Sequence, residues 1–275
     1  MTGRPAGPRL RDMLSNPRAD RVKGVRALAG RSARDRSGTF LVEGPQAVRE
    51  AVRFASDDVR DVYVTDAARL AHPEIVDEGL EAGLYVHPVT DEVAQAMSAD
   101  AQGVLAVLNA HAEPGLDALP SAPRLVAVLS AVRDPGNLGA AIRVADAVGA
   151  DAVVLAGDCV DPRSPKVIRA SVGSVFHLPV LRAPRLTESA AHLRERGLAL
   201  VGADVSGTVL LGRDTERILA TSHAWIMGNE AWGLTPDELR ELDHVVRIPI
   251  VGQAESLNLA TAAAVCLYAS LFARS

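Results

Sequence analysis

Cysteine is nearly absent from this sequence: 275 residues contain two, Cys159 and Cys266, far apart along the chain. Two such residues cannot build a disulfide scaffold or a four-ligand zinc site, so a reducing, cytoplasmic setting is expected. The seven histidines are scattered and no H-E-x-x-H occurs, so no metal is expected. A serine-hydrolase G-x-S-x-G elbow is missing, and so is the G-x-G-x-x-G spacing of dinucleotide sites. The opening stretch MTGRPAGPRLRDM is basic with no apolar run behind it, and no secretory leader is expected. Residues 256–273 carry no charge, but they are rich in alanine and include Asn258, Thr261 and Ser270. They read as a buried helix of a globular core rather than a bilayer span, and no membrane association is expected.

What is present is ordinary globular composition, 48% apolar and 23% charged, which excludes a disordered chain. At roughly 100–200 residues per domain, one or two domains are expected. The net charge of −5 hides an asymmetry: residues 1–53 hold 12 Arg and Lys against 5 Asp and Glu, the remainder 17 against 29. A basic arm on an acidic body suits a protein that touches phosphate backbones, although Arg4, Arg9, Arg11, Arg18 and Arg21 would equally serve to keep a solvated tail soluble. Only Lys23 and Lys166 are lysine among 29 basic residues. Forked phosphate contacts and codon bias explain that preference equally well.

Hydrophobic periodicity divides the chain. The first part shows a helical pattern over 16–29, strands at 39–42, 59–65, 84–87 and 103–109, and helices at 45–54, 73–82 and 90–97. The stretch HAEPGLDALPSAP, residues 111–123, has three prolines and no periodicity, which marks a linker. Beyond it, strands at 125–129, 152–155, 177–180, 199–203 and 224–227 alternate with helices at 138–148, 166–174, 187–196, 236–242 and 257–272. Strand–helix alternation with near-continuous apolar strands predicts a parallel sheet covered on both faces. The expected organisation is a basic N-terminal segment 1–36, a smaller α/β domain 37–110, the linker, and a larger α/β domain 124–275. Thr235-Pro236-Asp237-Glu238 carries a helix-start signature of N-cap, proline and capping-box glutamate.

Ligands of open parallel sheets bind at the carboxyl ends of strands, and three loops there are polar and glycine-bearing. In RDPGNLGAAIRVADAVGA, residues 133–150, the apolar positions form one buried face and leave Gly136, Asn137, Gly139 and Arg143 unexplained. Arg143 follows Gly139 and Ala140 by one turn, with space before its guanidinium, as an anion site near a helix N-terminus would need; a surface arginine beside an Asn cap is the plainer alternative. In WIMGNEAWGL, residues 225–234, Gly228 and Gly233 bracket Glu230 and suggest backbone passing close to something bulky or adopting positive φ. In IPIVGQAESLNLATA, residues 248–262, Ser256 and Asn258 precede an apolar helix as caps or as ligand-orienting groups. Gly136 and Gly139 with Asp158 give a superficial likeness to a nicotinamide site, so an oxidoreductase stays open at this point.

Together the three loops resemble the signature motifs of the SpoU (TrmH-like) family within the SPOUT superfamily of RNA methyltransferases. The residues that carry the resemblance are Asn137-Leu138-Gly139-Ala140 through Arg143 and Ala145-Asp146, then Met227-Gly228-Asn229-Glu230 with Gly233, then Ile248-Pro249-Ile250 through Ser256-Leu257-Asn258. Phe40-Leu41-Val42-Glu43-Gly44 followed by Val48 is similar to the opening of the family's substrate-binding domain, a fold shared with ribosomal proteins that bind RNA kinks. Among family branches the chain most resembles actinobacterial 23S rRNA methyltransferases of the thiostrepton-resistance type. One departure is Leu259-Ala260, where the family often has Val-Ser.

The resemblance implies a C-terminal trefoil knot, a homodimer formed through the C-terminal domain, and S-adenosylmethionine as cofactor. It implies that Gly228, Ile248 and Leu257 hold that cofactor, largely through backbone groups, and that Asn137, Arg143, Glu230, Ser256 and Asn258 form the polar catalytic shell. The implied reaction is methyl transfer to a ribose 2′-hydroxyl of RNA, 23S rRNA first and tRNA as the alternative. Arg143 is the family's usual candidate for general base. Guanidinium groups stay protonated in proteins, so a charged role on phosphate and alkoxide is physically easier.

Overall fold

The computed structural model describes residues 11–274. In chain order the elements are α1 (Asp20–Ala27), α2 (Arg31–Ser37), β1 (Thr39–Glu43), α3 (Pro45–Phe54), β2 (Val59–Thr65), α4 (Asp66–Ala71), α5 (Pro73–Glu81), β3 (Tyr85–Val89), α6 (Asp91–Met97) and β4 (Val104–Asn109). They continue as β5 (Leu125–Ser130), α7 (Pro135–Ala147), β6 (Ala152–Ala156), α8 (Pro165–Ser171), β7 (Val180–Ala183), α9 (Leu186–Glu195), β8 (Ala199–Ala203) and β9 (Val209–Leu210). The last are α10 (Glu216–Leu219), β10 (His223–Met227), α11 (Pro236–Arg240), β11 (His244–Arg247) and α12 (Leu259–Ala273). The chain divides into two compact units, Met1–Ala112 with Arg163–Phe176, and Glu113–Pro162 with His177–Ser275.

The first unit is a four-stranded sheet in the order β1-β4-β2-β3, antiparallel except for the β2/β3 pair. All five residues of β1 are buried, because both faces of the sheet are covered. One face packs Val48, Val52 and Ile75 of α3 and α5, joined by Ile168 of α8. The other packs Val22, Val25 and Leu28 against Val93 and Met97 of α6. Thr65 and Thr90 cap α4 and α6 by accepting hydrogen bonds from the amides of Ala68 and Val93.

Two features of this unit differ from the expected boundaries. Residues 20–37 are not a separate basic segment. Val22, Val25 and Leu28 are core, and Arg34 is buried, donating to the carbonyls of Leu28 and Ala29 at 3.0 Å each. Arg21 donates to the Tyr63 hydroxyl at 2.9 Å and to Asp61 at 2.6 Å. Part of the basic excess is therefore structural; Arg4 and Arg9 lie outside the described residues. The second difference is α8, expected with the larger domain. Its Ile168 enters the first unit's core, and Arg169 bonds the carboxylates of Glu43 and Asp100, the latter at 2.8 Å. Amphipathicity shows that a helix has a buried face, but not against which sheet.

The second unit is a seven-stranded sheet, β7-β6-β5-β10-β8-β11-β9, parallel throughout. Strands β5, β6 and β10 are buried at every residue, as a doubly covered parallel sheet requires. Leu186, Ala190 and Leu193 of α9 pack one face with Leu119 and Leu234; α7 and α12 pack together elsewhere in this unit. The expected strand at 177–180 lies three residues later, and β9 and β11 were not anticipated because both are short with polar flanks. The linker holds a short 3₁₀ turn, Leu116–Ala118, and buries Leu119. Helix α12 has 15 residues, and among the described residues no helix is long and apolar enough to cross a membrane.

Helix α12 is tied to β10 by Ser270, whose hydroxyl oxygen accepts from Trp225 Nε1 at 2.8 Å and pairs with His223 Nε2 at 2.8 Å. Burial pushes the His223 imidazole down to about 4 from an ordinary 6.5. The unfolded chain therefore takes up a proton at a higher pH than the folded one. Stability falls as pH drops from about 6.5 towards about 4. A His223→Gln variant is expected to lose roughly 3 kcal/mol of that pH dependence, measured by urea unfolding on either side of the window.

Candidate active site

Strands β5 and β10 are neighbours, yet the chain leaves β5 towards β6 on one side and leaves β10 towards β11 on the other. Their carboxyl ends form the topological switch point of the sheet, where a crevice opens between diverging connections. Two of the three singled-out loops begin there, and the third leads from β11 into α12.

The loop 228–234 is closed on itself. Asn229 and Gly233 exchange backbone hydrogen bonds of 3.1 and 2.9 Å. A Cβ on Gly228 would stand 2.2 Å from the Gly233 carbonyl carbon, and Gly233 has φ +68°. The bulky neighbour expected from the paired glycines is thus the loop's own backbone. Asn229 is buried, donating from Nδ2 to the Ala131 carbonyl at 2.6 Å and accepting from the Ala231 amide at 2.8 Å. It locks the loop after β10 to the loop after β5.

Helix α7 starts earlier than its periodicity suggested. Asp134 is its N-cap, accepting from the Asn137 amide at 2.7 Å, with Pro135 in the first turn. Asn137 is therefore not the cap, and its side chain is free for other partners. Its Nδ2 donates to Glu230 Oε1 at 3.2 Å, and its Oδ1 accepts from Asn258 Nδ2 at 2.8 Å. Glu230 also accepts from the amides of Asp134 at 3.2 Å and Arg133 at 3.4 Å. Asn258 caps α12 through Oδ1, accepting from the amides of Ala260 at 2.9 Å and Thr261 at 3.4 Å. One residue from each motif thus joins a directional chain, Asn258 to Asn137 to Glu230. The anion at the α7 N-terminus is the protein's own: Asp134 and Glu230 take the amides of residues 133, 134 and 137.

Arg143 and Ser256 are not part of that chain. Arg143 is the ninth residue of α7, beyond its N-terminal turn, exposed, and without a hydrogen bond or ion pair among the described residues. Ser256 and Leu257 are exposed, and Ile248 is half-buried. Among the described residues, no hydrogen bond joins residues 248–257 to the rest of the chain. These residues therefore keep their backbone acceptors, and all but Pro249 their donors, available, which fits a ligand held by main-chain groups. Burial raises both thiols, Cys266 to about 12, so neither is poised as a nucleophile.

Several residues here escaped the sequence reading: Asp134 as cap, Asn229 as loop lock, and Arg133 beside Trp232. The first unit adds a groove of about 1060 Å³ in which Arg11, Arg21 and Arg60 are matched by Asp12, Asp57 and Asp61. The Arg11 guanidinium lies 4.6 Å from the Tyr85 ring centroid. Within the groove, burial works against charge on Asp61, but the hydrogen bond with His87 and the nearby Arg21 hold its carboxyl below the usual range. Its only signal in the sequence was Arg11 and Arg21 within the basic N-terminal stretch.

A crevice at the carboxyl ends of a parallel sheet, carrying a fixed carboxylate and a neighbouring segment of unpaired main chain, defines an α/β protein with a ligand site at the switch point. The SpoU rRNA Methylase family profile matches residues 124–268, and the MRM3-like substrate binding domain profile matches residues 19–106. The chain is 33% identical over 258 residues to the 23S rRNA (guanosine(2553)-2′-O)-methyltransferase RlmP of Bacillus subtilis, covering 93% of this chain and 97% of the relative. It is 33% identical over 244 residues to the 23S rRNA (guanosine-2′-O-)-methyltransferase RlmB of Bordetella pertussis, covering 86% and 98%. The crystal structure of the SpoU methyltransferase AviRb from Streptomyces viridochromogenes with AdoMet superposes with a TM-score of 0.80 at 29% identity, covering 93% of this chain and 99% of that one. The chain belongs to the SpoU rRNA methylase family. It is an RNA 2′-O-ribose methyltransferase with S-adenosylmethionine as methyl donor.

Replacing the α7 cap, Asp134→Ala, leaves the Asn137 amide unpaired and is expected to cost about 1 kcal/mol of stability. Chemical denaturation measures that loss directly, and a variant indistinguishable from the parent would show that the Glu230 carboxylate already suffices.

Proposed function

We propose that this protein methylates a ribose 2′-hydroxyl in 23S rRNA. The observation that carries the reading is the Asn258–Asn137–Glu230 hydrogen-bond chain at the β5/β10 switch point. Relatives named for guanosine 2′-O-methylation of 23S rRNA match along nearly their whole length, which supports the choice of RNA. Gly228, Ile248 and Leu257 hold S-adenosylmethionine, largely through main-chain groups, and the unpaired backbone of residues 248–257 suits that task. A homodimer is formed through the second unit, where Val265, Tyr268 and Phe272 leave apolar surface exposed on α12. A trefoil knot in that unit and a cytoplasmic location belong to the same reading.

S-adenosylmethionine supplies an electrophilic methyl on a sulfonium that is already a good leaving group. The protein's own residues must align the 2′-oxygen and remove its proton. Asn137, fixed at both ends of its amide, and Asn258, fixed by its capping role, form a rigid polar wall. Glu230 holds that wall and the start of α7 together. Arg143 remains charged, binds the neighbouring RNA phosphate and stabilises the emerging alkoxide, while the proton passes to that phosphate or to water. Ser256, at the end of the free loop, donates or accepts within the same shell. Arg11 and Arg60 of the first unit contact further phosphates.

Mapping 2′-O-methyl positions in ribosomal and transfer RNA, with and without the protein, tests the reading. A new modification in 23S rRNA is expected, and one confined to tRNA would overturn the choice of substrate. For Arg143, the Arg143→Lys variant is expected to keep a flat pH–rate profile at reduced turnover. Activity that returns only as pH rises through the lysine's own titration would instead assign proton removal to this position.

A further inference from the structure

Aromatic residues make up 3% of the chain, and only two are tryptophan. Trp225 is fully buried and hydrogen-bonded to Ser270, whereas Trp232 is 54% exposed. Trp232 is not among the buried core residues. It stands two residues after Glu230, on the loop closed by Asn229 and Gly233, so its backbone position is fixed. The Arg133 guanidinium carbon lies 5.7 Å from its ring centroid. Arg133 is held in turn by Asp158 at 3.3 Å, and its amide donates to Glu230. An exposed indole offers a broad, rigid π-face on which a planar group can stack. A flanking guanidinium adds a second planar surface and a positive charge.

We infer that Trp232 and Arg133 form a stacking platform for an unstacked nucleobase of the RNA segment that presents the target ribose. The inference rests on the RNA-methyltransferase reading and names the residues that grip the base rather than the ribose. Sequence-specific RNA recognition favours single-stranded bases splayed onto aromatic or arginine planes, and this pair supplies both planes beside the Glu230 carboxylate. Nothing polar on Trp232 reads a base edge except its one indole N–H, so the platform contributes affinity and orientation more than base identity.

The test uses the full chain and the intrinsic fluorescence of its two tryptophans, of which only Trp232 faces solvent. A mixed-sequence single-stranded oligoribonucleotide is expected to quench the exposed component, and the same strand with abasic riboses is not. Trp232→Ala is expected to raise KM for rRNA roughly ten-fold with kcat little changed, because stacking binds ground and transition states alike. Trp232→Phe is expected to restore KM to within about three-fold. Equal quenching by both strands, or an unchanged KM in Trp232→Ala, overturns the inference. So does conversion of a dimer to monomers by Trp232→Ala in sedimentation, which would assign the indole to a surface between copies. Quenching is read without methyl transfer, so a failed substrate assignment would leave this result interpretable.

Discussion

The active-site region depends on one carboxylate that ties its own loop to another by accepting hydrogen bonds from it. Strands β5 and β10 are distant in sequence and adjacent in the sheet, so their trailing loops must meet. Glu230 on one loop receives the amides of residues 133 and 134 and the side chain of Asn137 on the other. Amide donors at a helix start and an acidic side chain are complementary in charge, and the pairing fixes where α7 begins. Asn229 reinforces the junction from beneath with its own side chain.

Rigid and unpaired backbone are divided along this crevice. The loop 228–234 closes on itself and can present Glu230 and Trp232 in fixed positions. Among the described residues, 248–257 have no such internal bonding and are exposed or half-buried. A site that must hold a large donor through backbone groups needs the second kind of segment. A site that must align a hydroxyl with a methyl needs the first, since misplacement costs rate steeply.

Arginine serves two purposes in the first unit. Arg34 and Arg169 are structural, bonded to carbonyls and carboxylates within the unit. Arg11 and Arg60 line an open groove, while Arg21 belongs to both groups because its bonds to Asp61 and Tyr63 position it there. Charge counts alone cannot separate these roles: a guanidinium paired inside a fold and one lining an open groove contribute equally to the sum.

Most helices and strands were legible because their signals are local. Pro45 starts α3, Thr235 and Glu238 form the capping box of α11, and the unbroken apolar runs of β5 and β6 announce a buried parallel sheet. The candidate site residues were legible as motifs, whose order along the chain resembles one family. Their mutual contacts were not: that Asn258 bonds Asn137, that Arg143 stands apart, and that Asp134 rather than Asn137 caps α7 follow from strand order and helix packing. The destination of α8 was equally hidden, since an amphipathic helix fits any apolar sheet face. Sequence by itself determined the elements, their periodicity and the identities of the polar groups, because hydrophobic spacing and capping act over a few residues. Tertiary structure alone decided which loops share a crevice and which charges are spent inside the fold, because those depend on contacts between residues a hundred positions apart.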